Sequence, residues 1–495
     1  MLGFIKMHTG WVKIPLILFV FSAISVDSFA AQYLRAEGVI HLHTNISGGS
    51  LSPQEMLKKV KDAGLKVAII TDRDNMSVEY GLPPLRKILK KTIDKGGIKK
   101  YGSKKYIETI EALRRKYPEL LILHGAEATP FYYWEGNPIK GDLTLRNWHK
   151  HILILGLKTP EDYDNIPSLG SGYPLIKSAP QCIKNLWPLA LFILSLILLG
   201  KKAEKIYRLR GFIIREMVRP YFTPGIILLV LSLLFLLNNY PFCKPLFDQY
   251  HGDKGIEPYQ FLIDYAKKKD ALTFWAHPEV EAMYEAKGQF GNRMIKLHTP
   301  AYYKDLLEGR GYTGFAVFEE GFRFLGRASW LWDQILKEYC DGKRDNPVWA
   351  IGELDYKEGD WMGMTQTVFL LSDFNEGEVL RALKEGRVYA VRGKDKPILE
   401  DFRVKGTQAE AIMGKELSSK GSVEVLIKIR FPQSLKEEMK VSLIRKGEVL
   451  ETFSAKGDFL IKYKDNYFQP GEKIYYRLVV GEQLVTNPIF VRFEG

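Results

Sequence analysis

Charge is missing from two long stretches of this 495-residue chain. No charged residue lies between Lys184 and Lys201 around "NLWPLALFILSLILLG", or between Arg219 and Lys244 around "PYFTPGIILLVLSLLFLLNNYPFC". Each run approaches the roughly 20 apolar residues that cross a bilayer, and the first is short enough to fit best upright. A buried core helix is the alternative for each. The connection argues against it, because residues 201–219 carry seven basic and two acidic residues, the pattern of a cytoplasmic loop. The expectation is a transmembrane hairpin over 182–244 whose ends both lie outside. Cysteine is scarce, with only Cys182, Cys243 and Cys340. In that topology Cys182 and Cys243 share the outer membrane face, where disulfides persist, and they are expected to be bridged. Cys340 is left without a role. A nucleic-acid-binding module is also lacking, despite a formal charge of +13. The 201–219 loop accounts for five of those charges and "RKILKKTIDKGGIKKYGSKK" (86–105) for eight, so the remainder is near neutral. The second cluster is either a solvated face or a surface for anionic headgroups or an anionic substrate.

In residues 11–32, "WVKIPLILFVFSAISVDSFAAQ", an apolar run preceded by Lys6 and Lys13 ends in the small-x-small pattern Ser28-Phe29-Ala30. They read as a signal peptide cleaved near Ala30, or as an N-terminal anchor over 1–31. Either places Gln32 outside the cytoplasm.

With the hairpin set aside, seven short apolar runs alternate with amphipathic stretches: 38–44, 66–74, 120–129, 151–157, 272–279, 314–320 and 348–355. Plausible helices lie at 52–64, 103–119, 257–270 and 328–340. Near-continuous apolar strands alternating with helices predict an α/β fold with a parallel sheet buried on both faces, and seven units suggest a barrel. Its first part would span 32–181 and its second 245–397. Six runs carry His, Asp or Glu near their C-terminal ends: His41 and His43, Asp72, Glu127, His277, Glu319 and Glu320, and Asp355. The fourth has His151 at its start instead. In (β/α) barrels the C-terminal rim gathers the reacting groups, so the set points to metal binding more strongly than any one member. From about 398 the pattern alternates between turns and predicts an accessory β-sandwich over 398–495, with no clustered catalytic residue types.

In this order "HLHTNISGG", "AIITDRDN", "LHGAEAT", "HILILGL", "WAHPE" and "GELDYK" resemble the PHP (polymerase and histidinol phosphatase) superfamily. "GEVLRALKEGRVYAVRG", with a β-rich tail ending "VTNPIFVRF", resembles its extracytoplasmic branch of carbaryl-hydrolase-like metallohydrolases. The resemblance implies a distorted seven-stranded barrel, two or three Zn, Mn or Fe ions, and hydrolysis of phosphoesters or other esters. It implies one metal site from His41, His43, Glu127 and Asp355, and a second from His151, His277 and a bridging Glu127. His149 competes for the place of His151, and His124 reads as structural. The sequence departs from the family at Thr71-Asp72-Arg73 and Asp355-Tyr356-Lys357, where a histidine usually stands third. Both losses fall on the third metal. Arg73 and Lys357 are expected to stand in its place, pair with Asp72, and hold a substrate phosphate or carboxylate. Glu319, Glu320, Glu353 and Tyr356 remain open as the general acid.

The resulting expectation is a dinuclear metal-dependent hydrolase at the cytoplasmic (inner) membrane, its soluble domains extracytoplasmic, acting on a phosphoester that is lipid-linked or membrane-proximal. The alternatives are a carboxyl or carbamate ester hydrolase, and a silent envelope protein that binds an anionic ligand. The hairpin follows the fourth strand, which is expected to leave the barrel on the metal-bearing side. A simple tether is the alternative.

Overall fold

The computed structural model describes residues 33–138, 140–170, 173–287, 294–318, 324–435 and 437–494. The signal or anchor segment lies outside them, as do Glu319 and Glu320. All seven expected strands form: β1 (Leu34–Leu42), β2 (Val67–Ile70), β3 (Leu121–Ala128), β4 (Ile152–Leu155), β5 (Leu272–Trp275), β6 (Gly314–Val317) and β7 (Trp349–Gly352). They are consecutive neighbours in one sheet. The four-residue strands β2, β4, β5, β6 and β7 are buried at every position, which explains their continuous apolar character.

The sheet is not all-parallel as expected. β4 runs antiparallel to both β3 and β5. Hydrophobic periodicity carries no direction, so the sequence pattern could not expose this. The reversal explains His151: the start of β4 lies at the same rim as the ends of the other strands, and Ala276 N donates to His151 O at 3.2 Å. It also corrects the expected route to the hairpin, because β4 ends on the far side, where Leu155 pairs with Leu272 at the start of β5. The chain then climbs back. Ser168 Oγ donates to Asp74 at 2.9 Å, and Asn75 Nδ2 donates to Leu169 O at 3.3 Å, both just beyond β2.

The helices follow from their apolar spacing. α1 (Pro53–Asp62) starts at Ser52, which exchanges capping hydrogen bonds with Glu55, and buries Met56, Leu57 and Val60. α2 (Ser103–Lys116) buries Tyr106, Ile110 and Leu113. α3 (Pro188–Gly200) and α4 (Phe222–Asn239) are apolar all round. By length and composition the helical span Cys182–Gly200, which ends in α3, and α4 are able to cross a membrane, with windows only 11% buried inside the structure. They pack together, since a Cβ on Gly225 would lie 2.9 Å from the Leu199 side chain. The basic connection is a two-stranded ribbon, Ala203–Leu209 with Phe212–Val218, turning at Arg210 and Gly211, both at positive φ. Cys182 and Cys243 are brought together as expected, but as two free cysteines with sulfurs 3.4 Å apart; the expected bridge is not formed.

The sheet continues from β1 into β8 (Thr365–Leu371) and β9 (Val388–Arg392). Backbone hydrogen bonds from Leu354 N to Ile40 O (3.1 Å) and from Tyr356 N to His41 O (3.4 Å) bring the segment after β7 against β1. Gly352 makes the approach to β8 possible, because a Cβ there would lie 2.2 Å from Gln366 O. Leu484–Thr486 pairs directly with β9, so one layer of the C-terminal strands extends the main sheet. The other layer contains Ile398–Lys405, Val423–Arg430 and Asp458–Asp465, and the two enclose an apolar cluster including Phe402, Ile427, Leu443 and Leu478.

An ion pair fastens this region to the helix Leu331–Cys340. Arg477, fully buried, donates to Asp333 from Nε (2.8 Å) and Nη2 (2.7 Å), and to the carbonyls of Gly326 and Arg327. Breaking such a pair leaves an uncompensated buried charge, at a cost of about 3–5 kcal/mol. Asp333→Ala is therefore expected to lower stability by roughly that amount, as a reduced urea midpoint with an unchanged slope.

Candidate metal centre

Glu127 sits at the end of β3 and is 1% exposed. Four imidazoles surround its carboxylate. Its Oε1 lies 3.0 Å from His41 Nε2, 3.5 Å from His277 Nε2, and in close contact with His151 Nδ1. Its Oε2 lies 3.3 Å from His43 Nε2. The donors fall into two triads that share Glu127: His41, His43 and Glu127, and Glu127, His151 and His277. Asp355 borders the first, its Oδ1 at 3.9 Å from His41 Nε2 and 3.7 Å from His43 Nε2.

The outer nitrogen of each ring fixes what the inner one offers. His41 Nδ1 contacts the buried Glu353 carboxylate, His151 Nε2 donates to Trp148 O at 2.8 Å, and His277 Nδ1 faces the Tyr302 hydroxyl at 3.2 Å. That hydroxyl donates to Ala276 O at 2.5 Å, so it accepts from His277. His43 Nδ1 faces Ser47 Oγ at 3.4 Å, and Ser47 donates to Asp72 at 2.5 Å. These partners assign a proton to all four outer nitrogens and leave four lone pairs aimed at the Glu127 carboxylate, as in histidine metal sites. His41 Nε2 and His43 Nε2 lie 2.9 Å apart, a contact between two lone pairs that a shared cation would stabilise. The buried atoms Glu127 Oε1 and His151 Nδ1 touch but form no hydrogen bond of acceptable geometry. The residues fit divalent metal ions of the borderline type.

Charge leads to the same fit. Burial disfavours a charged His41, yet Glu353, Glu127 and Asp355 outweigh it and hold its pKa well above 6.5. His277 is likewise raised to about 9 against burial, by Glu127, Glu353 and Asp355. For His151 burial prevails, and its pKa falls to about 4. Burial opposes ionisation of Glu127, but the His151, Arg73, His41 and His43 charges keep it well below the usual carboxylate value. The carboxylates thus demand positive charge at the imidazole nitrogens.

The backbone is held under strain to present these groups. His41 (φ 71°), His277 (φ 29°) and Asp355 (φ 41°) occupy the left-handed region, which costs on the order of 1–3 kcal/mol per residue. At His41 the β1–β2 register slips between Ile40 and Leu42, a bulge that re-aims the ring. His277 N is held by Glu353 Oε2 at 2.7 Å.

The expected grouping of Asp72 with Arg73 and Lys357 is not observed. Asp72 is fully buried and accepts from Thr44 N (2.7 Å), Thr44 Oγ1 (2.8 Å) and Ser47 Oγ. These donors, closer than either cation, turn it toward the loop after β1, where it orients His43 through Ser47. Arg73 instead donates from Nε to Glu127 Oε2 at 2.7 Å. Lys357, 61% exposed at its side chain, lies 4.0 Å from Asp355 Oδ2. Both line a 370 Å³ pocket with His43, His149, His277 and Tyr284. His149 contacts the His151 ring without joining either triad. His124 points to the opposite face of β3, against Tyr163 and Tyr106, as its alternation with Glu127 requires.

Residues 40–178 match the PHP domain. That PHP match contains His41, His43, Glu127 and His151, whereas His277, Glu353 and Asp355 lie beyond it. No curated protein matches the chain in sequence. Among solved structures, a two-domain protein from Bacteroides vulgatus ATCC 8482, containing a predicted PHP-like metal-dependent phosphoesterase, is 10% identical with a TM-score of 0.34. The alignment covers 93% of this chain and 95% of that one. A putative metal-dependent phosphoesterase from Bifidobacterium adolescentis ATCC 15703 is 14% identical with a TM-score of 0.27, over 64% of this chain and 87% of the other. Scores this low carry no argument about this chain, so the metal fit rests on its own side chains.

Glu353 is the residue whose role sequence reasoning missed. Its signal was position: it stands directly after β7 and two residues before Asp355. Glu353→Gln is expected to weaken metal binding by about 10–100-fold, the usual effect of removing a carboxylate behind a histidine ligand. Competition with a chromophoric chelator measures it.

Proposed function

We propose that this chain is a membrane-anchored, extracytoplasmic hydrolase that uses two divalent transition metals, Zn, Mn or Fe, to cleave a phosphoester. The convergence of four pre-oriented imidazoles on Glu127 carries the reading. Two metals bound there would lower the pKa of a shared water and polarise the scissile ester. His41, His43 and Asp355 would hold one metal, His151 and His277 the other, and Glu127 would bridge them. Glu353, Ser47, Trp148 and Tyr302 keep the rings from turning, which is the preorganisation such a reaction needs.

Arg73 supplies the anion contact in this reading. Its Nε is committed to Glu127, and the guanidinium faces the pocket, where it can offer further N–H donors to a phosphate oxygen. Lys357 is a second, movable cation at the mouth. Asp72 acts as a positioning residue. Tyr356, buried beside the pocket, is the reachable candidate for a general acid, whereas Glu353 is occupied by His41 and His277 N.

The proposed architecture is a distorted barrel, a C-terminal β-sandwich joined to it, and the α3–α4 hairpin as a membrane anchor that leaves the soluble part on the outer side. Contacts between Lys87 and the end of α4 support a membrane-facing metal pocket: Lys87 N donates to Asn238 Oδ1 at 3.0 Å and Nζ to Tyr240 O at 2.8 Å. Hydrolysis of a carboxyl or carbamate ester is the second reading, favoured by the commitment of Arg73 Nε to Glu127.

Phosphate and carboxyl ester panels assayed after loading with Mn, Zn or Fe test the proposal. Phosphoester turnover is expected, with Glu127→Ala losing both metals and all turnover. Arg73→Lys is expected to raise KM for phosphoesters about tenfold, equivalent to ~1.4 kcal/mol, with little effect on carboxyl esters. Protein that takes up no metal and cleaves neither class contradicts the proposal.

A further inference from the structure

A second cavity, of 340 Å³, opens beside the metal pocket. Arg73, His149 and Tyr284 line both, so the two are contiguous at the guanidinium. Beyond that shared wall the lining is mostly apolar, with Val78, Ile93, Trp134, Trp148, Leu145 and Leu297 among its members beside a single Lys95. Trp134 has its indole N–H spent on Glu79 O at 2.8 Å, so its ring offers the cavity apolar surface only.

The cavity is assembled from insertions between the core strands. One wall is the ribbon of Ser77–Gly81 and Lys90–Asp94 after β2. The other is a four-stranded sheet containing Tyr133–Glu135, Thr144–Arg146, Ala282–Lys287 and Met294–Thr299. The ribbon leads away from the cavity to a tip where Leu82, Ile88 and Leu89 are exposed. Arg86, Lys87, Lys90 and Lys91 flank them. At this tip Lys87 holds the C-terminal end of α4. One continuous element therefore runs from the end of an apolar, membrane-length helix, past exposed leucine and isoleucine, to an apolar cavity that ends at Arg73 and the metal centre. Apolar side chains interleaved with basic ones suit an interface between headgroups and acyl chains.

We infer that this cavity binds the hydrocarbon arm of an amphiphilic phosphoester whose phosphate lies between Arg73 and the metal centre. The inference rests on the phosphoesterase reading and specifies its substrate class. Its size suits one arm, being near the lower end of ligand pockets, about 300–1,000 Å³. The metals and Arg73 would grip the charged end, and the cavity would select for apolar length.

Titration calorimetry on the metal-loaded full chain in phosphatidylcholine nanodiscs tests it, with methyl-, propyl-, pentyl- and heptylphosphonate as non-hydrolysable probes. Affinity is expected to rise about three- to fourfold per methylene, the gain from burying each group. Val78→Trp and Leu297→Trp, which fill the cavity from opposite walls, are each expected to flatten that dependence. Methylphosphonate binding with no dependence on chain length overturns the cavity assignment and leaves the phosphoesterase reading standing. Failure of every phosphonate to bind overturns both. An unchanged slope in both folded, metal-binding variants also overturns the assignment. The source of the arm is read by repeating the titration in nanodiscs containing phosphatidic acid. Weakened heptylphosphonate binding assigns the arm to a bilayer lipid; a retained slope without competition assigns it to a soluble alkyl ester.

Discussion

The contact between the Glu127 carboxylate and four imidazoles governs the rest of the structure. A carboxylate with almost no exposure is costly to bury unless positive charge meets it. Here Arg73 supplies that charge on one oxygen, and metal ions held by histidines drawn from β1, the start of β4 and the end of β5 would supply it on both. Bringing those rings to one point constrains the backbone of three separate strands. The bulge at His41, the left-handed φ angles at His41, His277 and Asp355, and the reversal of β4 that delivers His151 all serve this one encounter.

Around that contact lies a shell that has no chemistry to perform and much geometry to hold. Glu353 reaches from the end of β7 to the His41 ring and to His277 N, tying β1 to β5 through one carboxylate. Asp72 reaches the His43 ring through Ser47. The C-terminal strands stiffen the same region from outside, where Asn487 exchanges hydrogen bonds with Ala350 of β7 (2.8 and 3.0 Å). The tail therefore supports the strand whose continuation carries Glu353 and Asp355.

Much of this was legible in the sequence, and the rest was hidden for physical reasons. Continuous apolar runs identify all seven core strands, because strands buried on both faces lack alternation. Histidines and carboxylates at strand ends marked a wider set, and the PHP resemblance drew from it, with His151, the six residues whose side chains gather about Glu127. Direction was not legible: "HILILGL" reads the same whether the strand runs up or down, and only the odd position of His151 hinted at the reversal. Partner choice was not legible either. Asp72 and Arg73 are adjacent, yet Thr44 and Ser47 claim the first and Glu127 the second. The apolar cavity was invisible because its walls come from short insertions, such as Tyr133–Glu135 and Thr144–Arg146, with too few residues to show a period.

Anomalous diffraction from crystals grown with Mn or Zn, recorded on both sides of the metal edge, tests the central claim most directly. Two peaks are expected, one against His41, His43 and Asp355 and one against His151 and His277, with a Glu127 oxygen bound to each. Fully occupied crystals with a single peak, or with peaks that leave Glu127 uncoordinated, would contradict the account.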